Sequence, residues 1–252
     1  MTSCFQNERV PPGWPEHLEL IDNRYFYHND NGIGGYTCGL VRNAVANQLL
    51  VMDRGFLNTK FLASLGTFID NRSVIGFIIE YAVLASIKSK GLYTCEGSQD
   101  GMRLKILKQP DDIETDITND WVLYRPLKYD HKAIDGIIVR IDTKTKYAEG
   151  EKPILSLRPL QITVAATHSD SRKTFLKEYS KWIKEQSRFD VRLEFLWITP
   201  HWIDGEKHAA TSTWPEHHEN YIHLEDVSAE IWEKYQKVTK DAKEAEPGGN
   251  MR

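Results

Sequence analysis

Cysteine is scarce in this chain of 252 residues. Cys4, Cys38 and Cys95 are odd in number and unpaired in spacing, which excludes a disulfide framework and the paired thiolates of a structural zinc site. They fit intracellular thiols. Long apolar runs are missing as well. None approaches the ~20 residues of a membrane helix, so no membrane partner is expected. A surplus of one charge is also missing: the net charge of −4 gives no global attraction to nucleic acid or anionic lipid. The segment Met1–Arg9 lacks the apolar core of a signal peptide. An intracellular location is expected, with the nucleus as the compartment. What is present is an ordinary globular composition and enough length for one domain with appendages.

Several motif-like stretches fall short of their motifs. Asn31-Gly32-Ile33-Gly34-Gly35 is glycine-rich but lacks the Lys-Ser/Thr of a phosphate-binding loop, and reads as a turn. His201, His208, His217, His218 and His223 show neither helical His-x-x-x-His pairing nor a nearby Cys, and read as loop and surface histidines.

Apolar periodicity supplies the elements. Leu40–Met52 and Phe56–Phe68 have helical spacing. Residues 1–70 are expected to form an aromatic and helical extension packed on a core spanning 71–205. Asp70-Asn71 can cap a helix over Ser73–Ile87. That helix is apolar nearly all round, so it should be buried. Glu80 is its only charge. Such a carboxylate is paired, bound to a metal, or raised in pKa. A polar edge reaching solvent or an Arg and a site acid are equally compatible with its isolation.

Leu92–Leu107 reads as a hairpin around Gly97–Gly101, Asp111–Asp120 as an acidic loop, and Trp121–Tyr124 as a strand. Two β-branched runs follow, Asp135–Asp142 and Leu160–Thr167, joined by a charged connection over Thr143–Pro153. Gln161 and Thr163 lie two apart, so they share a face. If the two strands pair, Asp135, Gln161 and Thr163 converge on one side. A structural reading stands beside this one, in which they satisfy backbone groups at a sheet edge.

Ser169-Asp170-Ser171 then caps an amphipathic helix. Phe175, Leu176, Tyr179, Trp182 and Ile183 form its apolar stripe. Lys173, Lys177, Lys181, Lys184 and Arg188 line the other side, either as a solvated face or as a phosphate-contacting ridge. Arg188–Pro200 is a strand, and Val227–Val238 is a helix within a C-terminal segment at 206–240. Residues 241–252 read as a disordered tail.

From Ser73 onward the order is helix, strand, strand, strand, helix, strand. With Glu80 on the helix, Asp135 on the second strand and Gln161-Ile162-Thr163 on the third, the chain resembles the restriction-endonuclease-like, PD-(D/E)xK, nucleases. Asn71–Glu80 and Leu160–His168 look like the nuclease-like region of retrotransposon-hot-spot proteins and the related Crinkler effectors. The resemblance implies an α/β fold with an αβββαβ core, its mixed central sheet flanked by helices. It implies a Mg²⁺-dependent nuclease acting on DNA, or an inactive effector module of the same fold binding nucleic acid or a protein. Glu80, Asp135, the Gln161 amide oxygen and the Ile162 carbonyl are the implied metal ligands. Thr163 stands where the family carries Lys, and Lys173 is the expected source of the missing charge. No Walker motif accompanies the pattern.

Overall fold

The computed structural model describes residues 26–28, 34–36, 72–95, 101–116, 119–126, 134–142, 151–164, 171–201 and 216–245. The helices expected over Leu40–Met52 and Phe56–Phe68, the caps at Asp70-Asn71 and Ser169-Asp170, and His208 lie outside them. Near the N-terminus, β1 (Phe26–His28) pairs antiparallel with β2 (Gly34–Tyr36). Gly34 and Gly35, expected in a turn, are strand residues.

Helix α1 runs Arg72–Lys90. Its residues Ile78, Ile79, Ala82, Val83, Leu84 and Ile87 are all buried, as a helix apolar on nearly every side requires. It stops at Gly91, whose φ of +74° suits the left-handed position after a helix. The Gly91 amide closes the last turn onto the Ile87 carbonyl at 2.9 Å.

The sheet that follows has six strands in sequence order. They are β3 (Arg103–Leu107), β4 (Val122–Pro126), β5 (Gly136–Asp142), β6 (Ile154–Ile162), β7 (Asp190–Thr199) and β8 (His217–His223). β3 is parallel to β4, β4–β5–β6 is an antiparallel meander, and β6, β7 and β8 are parallel. Between β6 and β7 the chain crosses over through α2 (Ser171–Glu185). The fold is α/β with a mixed central sheet.

Strand alternation divides the interior into two cores. On one face, α1 packs on Leu123, Ile138, Leu160, Leu196, Ile198 and Ile222, joined by α4 (Ala229–Ala245) through Ile231 and Val238. On the other, Phe175, Tyr179, Trp182 and Ile183 of α2 pack on Tyr124, Ile137, Val139, Leu157 and Phe195. A one-turn helix, α3 (Leu224–Val227), links β8 to α4. Among the described residues no helix is long and apolar enough to cross a membrane.

Four expectations need correction. The hairpin over Leu92–Leu107 does not form: Leu92–Cys95 is a turn, and β3 lies parallel to β4 instead. The strand expected over Leu160–Thr167 begins at Ile154 and ends at Ile162. Pro159 disguises it, because a residue without an amide hydrogen reads as a boundary. The sheet tolerates it by leaving Arg158 and Pro159 out of the ladder with β7. The third is β8, built from His217-His218-Glu219-Asn220-Tyr221-Ile222-His223, which was expected as loop. The last concerns the tail, since α4 continues to Ala245.

The return from α1 into β3 depends on Gly101. Its φ is +90°, and a Cβ there would lie 2.4 Å from the Lys88 carbonyl oxygen and 2.8 Å from that of Ser89. Neither backbone atom can move without unwinding the end of α1. Gly101→Ala is expected to destabilise the fold by about 2–3 kcal/mol, measured by urea denaturation. Unchanged stability would refute this account of the turn.

Candidate active site

β5 enters the sheet at Gly136. A Cβ at that position would meet Leu123 Cδ1 and the Tyr124 carbonyl oxygen, both at 3.2 Å, so glycine permits the close approach to β4. One residue earlier, the Asp135 amide donates to the Leu160 carbonyl at 2.8 Å. This fixes the Asp135 side chain beside the C-terminal end of β6. Its Oδ2 accepts from the Ile162 amide at 2.6 Å and from Gln161 Nε2 at 2.9 Å. Asp135 thus ties the start of one strand to the end of the next.

Two further charges reach the same end of the sheet. Glu80, from the middle of α1, faces Arg125 of β4, with Oε1 3.5 Å from Nη2. That is long for a charge-assisted hydrogen bond, which is ordinarily near 2.8 Å. The Arg125 side chain is 8% exposed and that of Glu80 26%. The guanidinium carbon lies 4.1 Å from the centre of the Tyr81 ring, a cation–π contact that sets its plane.

Burial raises the Glu80 carboxyl above the ordinary range, against the opposing pull of Arg125. Asp135 is pushed well above it, first by desolvation and then by the Glu80 charge, while the Ile162 amide and Arg125 pull it down. The two acids are therefore close enough to feel each other. Two buried polar atoms of the cluster have no hydrogen-bond partner among the described residues: Arg125 Nη1 and Gln161 Oε1. One is a donor and one an acceptor. Leaving such groups unsatisfied costs about 1–3 kcal/mol each.

The structure thus gathers Glu80, Asp135, Gln161 and Ile162. Thr163 sits just past the end of β6, its amide donating to the Ile198 carbonyl at 2.9 Å. Lys173 is exposed on the first turn of α2, which covers the sheet face opposite α1. Lys177, Lys181 and Lys184 are exposed along the same helix. Lys181 lies 3.9 Å from Glu185, and Arg188 is held by Thr115 and by Asp116 at 3.4 Å.

The cation of the site is Arg125, which the sequence reading passed over. The signal that marked Glu80, one charge in an apolar element, was also present in Val122-Leu123-Tyr124-Arg125. Two histidines also differ from expectation. His217 and His223 are buried, the former edge-on to Phe195, the latter with Nε2 3.1 Å from the Pro200 carbonyl. His201 and His218 are exposed. Among the described residues, no three His, Cys, Asp or Glu side chains gather as a metal cluster. A cleft of about 690 Å³ opens at the far end of the sheet, lined by Lys152, Phe189, Asp190 and Glu216. It shares no residue with the carboxylate cluster.

The raised carboxyls make a pH-dependent prediction. A folded state that holds its proton more tightly than the unfolded chain is most favoured below the ordinary aspartate pKa of about 4, and loses that advantage as pH rises through the folded value. Asn at 135 keeps an oxygen for the Ile162 amide and carries no charge. In chelator, Asp135→Asn is therefore expected to melt higher than wild type at about pH 8, with the gain vanishing toward about pH 4. Equal melting temperatures at the higher pH would show that the buried carboxylate is not strained.

Compared with known proteins, the chain matches no family model, no curated protein and no solved structure, so its function has to be inferred from the site itself.

Proposed function

We propose that this chain is a restriction-endonuclease-like module that hydrolyses phosphodiester bonds of DNA with Mg²⁺. One observation carries the reading. At one end of a mixed sheet the charge of Glu80, from a helix, is felt by Asp135 at a strand start, which is bonded to Gln161, whose buried Oε1 has no described partner. With β3 set aside as an addition between α1 and β4, the elements run α1, β4, β5, β6, α2, β7, and the αβββαβ order this makes supports the reading, as does the pairing of a three-strand meander followed by a parallel crossover.

The donor set suits a hard divalent cation. Carboxylate and amide oxygens are the ligands Mg²⁺ prefers, and a cation would offset both the desolvation and the Glu80 repulsion that lift the Asp135 pKa. Asp135, Glu80, Gln161 Oε1 and the Ile162 carbonyl would hold it. When bound, it supplies charge against the phosphate and an acidified water as nucleophile. The chain's own part is to orient that set. The Ile162 amide and Gln161 Nε2 fix the Asp135 carboxylate, and Gly136 lets the strand bearing it sit close against β4 and α1. The exposed lysines of α2 offer a ridge for neighbouring phosphates.

A second reading has its own support. Thr163 carries no charge where the family has Lys, and Arg125 already partly neutralises Glu80. A catalytically inactive module binding nucleic acid or a protein would tolerate both.

Calorimetry with Mn²⁺ and Mg²⁺, with supercoiled-plasmid nicking on the same samples, decides. Wild type is expected to bind one cation and to nick. Asp135→Asn is expected to lose at least about ten-fold in cation affinity and about a hundred-fold or more in nicking rate. No cation binding by folded wild type would remove the nuclease reading and leave the binding module.

A further inference from the structure

We infer that Arg125 is the phosphate anchor of this site, its Nη1 donating to a non-bridging oxygen of a bound phosphodiester. The inference rests on the phosphodiester reading above and assigns the group that meets the substrate's charge. Arg125 is none of the residues of the family pattern described so far. It is 6% exposed, and its Nη1 is buried without a partner among the described residues. A guanidinium offers five donors in a planar fork, so one edge can face a carboxylate while the other takes an anionic oxygen. Here the Nη2 edge faces Glu80, and Tyr81 stacks beneath the plane. The side chain is oriented before any ligand arrives.

Electrostatics demands a cation at this place. A phosphodiester approaching Glu80 and Asp135 meets two carboxylates. Arg125 lowers the pKa of both, so its charge is felt where the acids are. Thr163 brings no charge, and Lys173 is exposed on the first turn of α2. The 3.5 Å separation from Glu80 is loose for a buried ion pair. A guanidinium held by its carboxylate alone would be expected to close that distance. One retained for a second anion need not.

The test uses the full chain and a fluorescein-labelled single-stranded oligonucleotide, with binding followed by anisotropy in EDTA and again in Ca²⁺. Wild type is expected to bind in at least one condition. Arg125→Gln should weaken binding about ten- to hundred-fold, the cost of one hydrogen bond to a charged partner. Arg125→Lys should recover part of the loss, because it restores the charge without the fork. Glu80→Gln releases the Nη2 edge and should bind several-fold more tightly. Equal affinity of wild type and folded Arg125→Gln, or no binding by wild type in either condition, overturns the inference. If Arg125→Gln does not fold, Glu80→Gln decides, and unchanged or weaker binding counts against the anchor. Mn²⁺ calorimetry on the same proteins separates the two proposals. No cation binding together with oligonucleotide binding that depends on Arg125 sinks the nuclease and keeps the anchor. Cation binding and nicking, with affinity indifferent to Arg125, do the reverse.

Discussion

Everything at this end of the sheet depends on one desolvated carboxylate. Asp135 sits where a strand begins, and its Oδ2 takes hydrogen bonds from Ile162 and Gln161 at the end of the neighbouring strand. Backbone and side-chain donors of this kind favour the ionised form. Burial and the nearby Glu80 oppose them and prevail, so the carboxyl is lifted rather than lowered. The fold therefore holds an acid where it is unfavourable to ionise. Structural carboxylates usually show the opposite balance. Bringing two acids together without full compensation is the pattern expected where another charged species completes the set.

The remainder of the sheet serves to keep that end rigid. Two cores, one under α1 and one under α2, hold the strands from both faces, so the strand ends have little freedom to relax the crowding. A second arginine performs a purely structural task farther down β6 and makes a useful contrast. Arg158 donates to the Thr94 carbonyl at 2.6 Å, pairs with Glu194 at 2.9 Å, and lies 4.7 Å from the Trp121 ring centre. It joins the turn after α1 to β6 and β7 with short, well-directed contacts. Arg125 has a longer ion pair and a buried nitrogen without a described partner. The same residue type, in one protein, shows what a satisfied cation looks like and what an unsatisfied one does.

The elements legible in the sequence were those whose burial alone dictates their pattern. The apolar helix around Glu80 and the run from Gly136 are marked by unbroken apolar character at helix and strand length, and the stripe of Phe175, Tyr179 and Trp182 by its helical period. Elements stabilised by their neighbours were hidden. β8 alternates poorly because its polar residues are met across the sheet: Glu219 pairs with Arg172 of α2, and Asn220 Nδ2 lies 3.4 Å from Glu194. β6 hides its first half behind Arg158 and Pro159. The pairing of Arg125 was hidden for a related reason, although its lone charge in an apolar strand was plain. Its partner Glu80 is 45 residues away, and only the stacking of α1 on β4 joins them. Glu80, Asp135 and Gln161 stood out as polar groups in apolar surroundings, but spacing could not say which cation they face.

If the proposed nuclease reading holds, Thr163 in place of a strand lysine reads, along the sequence alone, as the loss of a functional group. In space the consequence differs. A charge needed at a given point can be supplied from any element whose side chain reaches it, because Coulomb energy depends on distance and dielectric rather than on chain position. β4 lies next to β5, so a residue at its C-terminal end stands beside Asp135 as naturally as one on β6 does. Arginine suits that route better than lysine would. Its charge spreads over a plane that can stack on Tyr81, its donors diverge toward two anions at once, and its high pKa keeps it charged under burial that would discharge an amine. On the proposed reading, a threonine just past β6 and an arginine on β4 are one arrangement, with the cation carried two strands along the sheet and its chemistry altered from a point charge to a fork.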